Sequence, residues 1–577
     1  MNFSGLFKKK YKWEKYYTKE QLETCLNTPD ASIYDLFAEV ATKYSKKVAL
    51  DYFGKEITFG NFLESVDKVA RAFQYYGVEE DDIVTICMPN TPESLISFYA
   101  LNKIGAIANM IHPLSGEAEM KHYLKNTNSK MLLMIDVCYE KIKNVINETN
   151  VKRTVVVSAK DSMPFFLGLG YLFTKGIRVK KPKSSDRYIY WAEFLLKSYK
   201  VGKNPGVKRK KTDLAVILNS GGTTGVPKGV VHSNDAFTTL ALQSRIVVDI
   251  GPKDSVLVIM PNFHGFGLGL CMNFALLYGS KLILVPQFNV KTFDKLILKN
   301  KPTLVVGVPT LFEALVGHAG LQKADLSFIR YLVSGGDSLN KALWNRMDEF
   351  MKEHGSSAEI IQGYGMTEAL AAVAGSFGEH NAVASIGIPL CGNEIKICVP
   401  GTQDEVPPGE DGEICVTGKT VMQGYLNNKK ETNECLQLHK DKKIWLHSGD
   451  AGYMTEEGII YFQQRLKRLI VSSGYNIYPS HIEEVIEQHP AVLKCTVIGI
   501  PHKYKVQVAK AYIVLEEGYE DSWSVKKGIK ERCEKYLAEY SQPYDYEFRK
   551  SLPTTLLGKV NFRQLEEESR QEKSEEE

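Results

Sequence analysis

The chain has 577 residues, 44% of them hydrophobic and 24% charged, and a net charge of +4 at neutral pH. That balance is ordinary for a globular protein of several domains, and the length leaves room for a large core. So small a charge excess, with no aromatic-and-basic RNA-binding pattern, argues against a nucleic-acid partner.

No apolar run reaches the roughly 18 residues a membrane-crossing helix needs, and the opening "MNFSGLFKKKYKWEKYY" has no apolar core of signal-peptide length. Ten scattered cysteines without a C-x-x-C pair read as reduced core residues of an intracellular, cytoplasmic protein. Neither H-E-x-x-H nor a zinc-ligand spacing occurs, so neither a cysteine nor a zinc enzyme is expected.

In chain order, "DDIVTICMPN", "TPESLISFYALNKIGA" and "KMLLMIDV" are followed later by "VLVIMPN", "KLILVP" and "PTLVVGVP". Strand-like apolar runs alternating with amphipathic stretches predict an α/β fold with largely parallel sheets. Between these groups, "DSMPFFLGLGYLFTKGIRVKKPK" places an apolar run before Lys175, Arg178, Lys180, Lys181 and Lys183. Residues 163–183 thus suit an anionic bilayer surface, the alternative being a buried helix with a basic exit. The wider stretch 175–211, rich in lysine and arginine, reads as a solvated excursion.

"LNSGGTTGVPKGVVH" spans residues 218–232. The run from Leu214 to Leu218 predicts a strand buried on both faces, and Asn234 a helix cap. Gly221, Gly222 and Gly225 let consecutive amides line an anion-binding nest. Ser220, Thr223 and Thr224 add hydroxyls and Lys228 a charge, an inventory that suits a polyphosphate. The G-x-x-x-x-G-K-[ST] pattern fails because Pro227 precedes Lys228, and G-x-G-x-x-G fails too. "AGSFG" (374–378) lacks the first glycine of a nucleophile elbow and reads as a loop. From about residue 465 the pattern becomes that of a small α+β domain. Ser480 and Glu483 there have capping-box spacing, and "LEEESRQEKSEEE", from about 565, reads as a disordered tail. The predicted architecture is a large multi-sheet α/β domain over 1–464 and a small mobile one over 465–577.

"SGGDSL" (334–339), "GYGMTE" (363–368), "GEICVTG" then "GYL" (412–426) and "WLHSGDAGY" (445–453) follow the loop, then "RLKRLIVSSGYNIYP" and "PTTLLGKV". In this order and spacing they resemble the adenylate-forming superfamily: acyl- and aryl-CoA synthetases, firefly-type luciferases and peptide-synthetase adenylation domains. The likeness runs from "SIYDLFAEVATKYSKKVAL" to "GKVNFRQL". It implies two steps, in which a carboxylate attacks the α-phosphate of ATP and a thiol, usually that of coenzyme A, then cleaves the acyl-adenylate. Such chemistry needs aligned anions and charge stabilisation but no protein nucleophile.

The resemblance assigns Ser220, Gly221, Gly222, Thr223, Thr224, Gly225 and Lys228 to the phosphates, Glu368 to Mg²⁺ and Thr367 to the α-phosphate. Asp450, with Arg465, would take the ribose hydroxyls, while Gly335, Gly336, Asp337 and Tyr364 frame adenine. His264 would lie beside the acyl carboxylate. Lys559 would bridge that carboxylate and the α-phosphate, Lys467 would be the hinge, and Gly474 with Tyr475 would border coenzyme A. Phe263, His264, Gly265, Val308 and Gly365 would line the acyl pocket. Departures are Asp337, usually a small residue; Thr554 and Leu556 or Leu557, usually Lys and Ser; Gln464, usually Gly; and Val471, where luciferases carry Lys. The last counts against light production. Acetyl-CoA synthetases have Trp at the Gly365 position, so glycine implies an open pocket, and no charged partner for an amine stands nearby. The expected activity is that of a medium- to long-chain fatty acyl-CoA ligase. Alternatives are an aryl acid or carrier-protein thiol as substrate, or a non-catalytic relative, which would be marked by loss of Lys559, Glu368 or Asp450. All three are present.

Overall fold

A computed structural model describes residues 12–174, 176–203, 206–220, 227–468, 470–472, 475–502, 505–554 and 560–576. The run Leu214–Ser220 is an inner strand of an eight-stranded sheet. It pairs in parallel with Ile107–Met110 and antiparallel with Lys228–Ser233. Neighbours on both edges and cover on both faces explain its unbroken apolar sequence. A nine-stranded sheet runs in the order Ile388–Pro389, Ala372–Ser376, Glu359–Gly365, Tyr331–Gly335, Leu304–Gly307, Ser255–Val258, Lys281–Leu284, Val48–Tyr52, Lys55–Thr58. Its middle is parallel and its ends antiparallel. The α/β architecture is therefore as the alternating pattern predicts.

The chain packs as two compact units. The first comprises Met1–Ile395, Val416–Leu446 and Glu457–Ile459, and holds both large sheets. The second comprises Lys396–Cys415, His447–Glu456 and Ile460–Glu577. Its sheet of Tyr475–Ile477, Ile470–Ser472, Val506–Leu515 and Val492–His502, with Asp545–Phe548 beside Val506–Leu515, buries Ile482, Ile486 and Ile529 from two helices.

Several local expectations are corrected. Ser233, not Asn234, caps the helix Asn234–Val247, because the Asn234 amide is taken by Ile33 and Asn102. The helix Pro479–Glu487 starts two residues too early for a Ser480–Glu483 box, and Glu483 instead accepts from Val497 N–H and Arg468. The charged tail is helical over Phe562–Glu576, since Leu565 is fully buried beside Ile498, Ile500 and Tyr512. Ala372–Ser376 is a strand rather than a loop, and the buried Ser376 hydroxyl is bound to Asn381. Within 175–211 the strand Tyr188–Tyr190 joins a sheet edge, and Arg209 is buried against Glu80, Asp81 and Asp213.

Helix Pro92–Lys103 is buried along its whole length and carries Glu93 into the core. Burial pushes the Glu93 carboxyl up to about 7, although the Ser162 hydroxyl donates to it at 2.5 Å. A raised acid pKa in the folded state means stability is full below the ordinary value of 4.5 and falls as pH rises through about 7. At ~1.4 kcal/mol per pKa unit the fall is about 3 kcal/mol. Glu93→Gln should remove it. Urea unfolding at pH 5 and 8 checks this, and equal pH slopes for both proteins would contradict it.

Candidate active site

Consecutive parallel strands of the nine-stranded sheet deliver the expected site residues at their carboxyl ends, where open α/β sheets bind ligands. Ser255–Val258 leads to Phe263, His264 and Gly265; Leu304–Gly307 to Val308; Tyr331–Gly335 to Gly336 and Asp337; Glu359–Gly365 to Thr367 and Glu368. Gly335 pairs with Gly363, so the expected adenine frame and Tyr364 occupy adjoining strands. Gly336 has φ +80°, and its Cα would put a Cβ 3.5 Å from Val308. Asp337 is exposed and accepts from Ser338 N–H. The Phe263 ring lies 4.3 Å from that of His112, and a π-helix, a form common at functional sites, starts just after Gly265 at Phe266–Asn273.

Glu368 is followed by a γ-turn. Leu370, fully buried, has φ +66° and ψ −54°, and Ala371 N–H donates to the Ala369 carbonyl at 2.8 Å. Such a conformation is strained for a branched residue and persists only where neighbours impose it. Two glycines make room for it. A Cβ on Gly265 would fall 1.5 Å from the Leu370 carbonyl oxygen, and one on Gly365 1.5 Å from that of Ala371. Beyond any pocket, Gly365 is thus required by its own strand pairing, and Gly365→Trp cannot act as a simple plug.

The hairpin of Leu214–Ser220 and Lys228–Ser233 places Ser220 opposite Lys228. Tyr425, opposite Val230 on the next strand, donates its hydroxyl to Glu368 Oε1 at 2.9 Å. Burial, then the Glu368 carboxylate, hold that phenol well above its usual pKa. The Lys228 ammonium lies 4.8 Å from the Tyr425 ring centroid and pairs with Glu431. His232 Nε2 is 2.7 Å from the Thr367 carbonyl, which only accepts, so Nε2 carries the proton. Burial pulls the ring down to about 4 and keeps it neutral. Lys228, Thr367 and Glu368 are thereby brought together. One half-buried carboxylate fits Mg²⁺, which takes one or two carboxylates and fills its shell with phosphate and water.

In the second unit, Asp450 is buried, with Arg465 opposite it and Arg465 Nε 3.4 Å from Oδ1. Gly221, Gly222, Thr223, Thr224, Gly225, Gly474 and Lys559 lie outside the described residues, as do the side chains of Lys467 and Tyr475. Sequence reasoning gave no role to Tyr425, His232, Leu370 or Glu431. Only the tyrosine of "GYL" and the histidine closing the loop stood within motifs, and nothing local marked their partners.

A glycine-rich hairpin ending in lysine, a carboxylate fixed beside it and parallel strands converging on both define a nucleotide-dependent α/β enzyme. The chain belongs to the AMP-binding enzyme family, whose pattern matches residues 37–426, with the AMP-binding enzyme C-terminal domain matched over 481–559. It is 32% identical over 548 residues to a long-chain-fatty-acid–CoA ligase of Bacillus subtilis, covering 94% of this chain and 95% of that one. A long-chain-fatty-acid–CoA ligase of Escherichia coli is 28% identical over 557 residues, at 93% and 95% coverage. The fold matches a crystallised anthranilate CoA ligase in complex with anthranoyl-AMP, with a TM-score of 0.83 at 23% identity, covering 96% of this chain and 100% of that one.

Proposed function

We propose that the protein is an acid–thiol ligase that converts a medium- or long-chain fatty acid to its acyl-CoA, with ATP cleaved to AMP and diphosphate. The observation that carries this is the Lys228–Tyr425–Glu368 cluster beside Thr367, within a chain most of whose length resembles long-chain-fatty-acid–CoA ligases. A carboxylate oxygen of the acid attacks the α-phosphate and diphosphate leaves; the coenzyme A thiol then attacks the acyl carbonyl and AMP leaves. Ser220, Thr223, Thr224 and Lys228 hold the phosphates with the backbone of Gly221, Gly222 and Gly225. Thr367 and Lys559 take the α-phosphate, and His264 faces the carboxylate. Asp450 and Arg465 hold the ribose, and Gly335, Gly336, Asp337 and Tyr364 the adenine. Glu368 would hold Mg²⁺, which would supply neutralisation of phosphate charge. Phe263, Gly265, Val308 and Gly365 border the acyl chain. Residues 465–577 act as a lid turning at Lys467, with Gly474 and Tyr475 beside coenzyme A.

Pyrophosphate exchange over acids of graded length, followed by thioester assay with free coenzyme A, tests this. Preference for aryl acids, or adenylate without thioester, would favour the sister activities; no exchange with any acid would favour a non-catalytic binder.

The enzyme works in the cytoplasm and touches the membrane surface through residues 163–183. No described helix is long and apolar enough to cross a membrane. Helix Phe165–Phe173 nevertheless exposes Phe165, Phe166 and Phe173 by 77%, 84% and 74%, so it is not the buried helix of the alternative reading. Exposed Arg178, Lys180 and Lys183 follow it and would meet anionic headgroups. Deleting 163–174, or replacing Phe165 and Phe166 with Glu, should cut co-sedimentation with phosphatidylglycerol vesicles several-fold and leave adenylation of a short soluble acid intact. Equal co-sedimentation of variant and wild type would refute the contact.

A further inference from the structure

The "GEICVTG" segment has no part in the chemistry above, yet its Glu413 is among the most heavily bonded carboxylates of the second unit. It is buried on the strand Gly412–Thr417 with three donors converging on it. Gly449 N–H donates to Oε1 at 3.0 Å; His447 Nδ1–H donates to Oε2 at 2.9 Å and Gly401 N–H at 3.1 Å. Two of these donors, His447 and Gly449, are the residues leading directly into Asp450. All three lie on the strand Ile444–Met454, where Gly449 with φ +70° breaks the extended backbone, and the Ser448 hydroxyl accepts the Asp450 N–H at 3.0 Å.

We infer that Glu413 is a positioning residue for the reaction: it clamps the His447–Gly449 segment of this strand so that the Asp450 carboxylate is held ready for the two ribose hydroxyls of ATP. The inference rests on the ribose reading of Asp450. A buried carboxylate is costly unless its lone pairs are satisfied, and here the backbone that satisfies them is the backbone that aims Asp450. Burial raises the Glu413 carboxyl, but the His447, Gly401 and Gly449 bonds outweigh it and leave it below its usual value, so the clamp is charged at physiological pH. Cys415, 3.6 Å from His447 Nδ1, completes a buried Glu413–Cys415–His447 group that a metal could occupy. The existing His447–Glu413 bond gives that group a purpose without one.

The test compares ATP with 2′,3′-dideoxy-ATP in adenylate formation by the full-length enzyme. Wild type should favour ATP by roughly 10²-fold in kcat/KM, because two hydroxyl contacts are lost in the analogue. Asp450→Asn should collapse that ratio. Glu413→Gln should lower it at least five-fold through KM for ATP, with kcat nearly kept; a merely structural role would weaken both nucleotides alike and leave the ratio. A wild-type ratio near one would overturn the ribose reading itself. A large wild-type ratio that Asp450→Asn collapses but Glu413→Gln preserves would overturn the clamp alone. If Glu413→Gln does not fold, His447→Ala, which removes one donor, is read the same way: a narrowed ratio supports the clamp and an unchanged one overturns it.

Discussion

Gly265→Ala is expected to lower stability by about 3 kcal/mol or more, and adenylation should fall with it. The added methyl group would start 1.5 Å from the Leu370 carbonyl oxygen, well inside any tolerable contact, and what it meets is backbone rather than the end of a flexible side chain. Either the π-helical segment after Gly265 moves or the γ-turn opens. The turn is already strained at Leu370 and lies two residues from Glu368, so relaxing it displaces the carboxylate that Tyr425 fixes. Gly365→Ala attacks the same turn from the other side, through the Ala371 carbonyl, and should behave alike. Leu370→Ala keeps the backbone free of collision and should lose mainly packing. Thermal unfolding and pyrophosphate exchange measure the two effects together. Wild-type midpoints and exchange rates in both glycine variants would show that the turn does not hold the site.

Lys559→Ala should slow adenylate formation by roughly two to three orders of magnitude, the usual cost of removing a donor that meets charge developing in the transition state. It should still convert supplied acyl-adenylate and coenzyme A to thioester. Lys467→Pro should do the reverse. Lys467 lies in the 3₁₀ turn Leu466–Arg468, whose φ is near the value proline imposes, so the substitution fits that turn and opposes leaving it. If one conformation serves each half-reaction, the proline variant should form adenylate normally and make thioester slowly. The halves are assayed by pyrophosphate exchange and by consumption of synthetic adenylate. Equal loss of both halves in each variant would end the two-conformation account.

The elements legible in advance were those whose cause is local. The run Leu214–Leu218 is apolar because its strand is covered on both faces, and a strand's apolar continuity can be seen within five residues. The helix caps failed at Asn234, where the adjacent Ser233 caps instead, and at Ser480, where the helix starts at Pro479 after Tyr478 with no side-chain cap. Distant partners claimed the Asn234 side chain, Ile33 and Asn102, and the Glu483 carboxylate, Arg468 and Val497 N–H. The tail's helix escaped because a single buried leucine, Leu565, docks an otherwise charged stretch.

The same division runs through the site. By itself the sequence showed which chemistry to expect: glycines, hydroxyls and a lysine between two strands supply the donors an anion-binding turn needs. It could not determine what fixes each group. Tyr425 reaches Glu368 across 57 positions, and His447 reaches Glu413 across 34. The need for glycine at 265 exists only because a carbonyl 105 residues later arrives against it. Pattern and propensity act over a turn or a strand, whereas steric exclusion and the satisfaction of buried polar groups act between segments that only the folded chain brings together. The tertiary structure alone therefore decided that Leu370 is strained, that Gly365 is obligatory and that Glu413 stands behind Asp450.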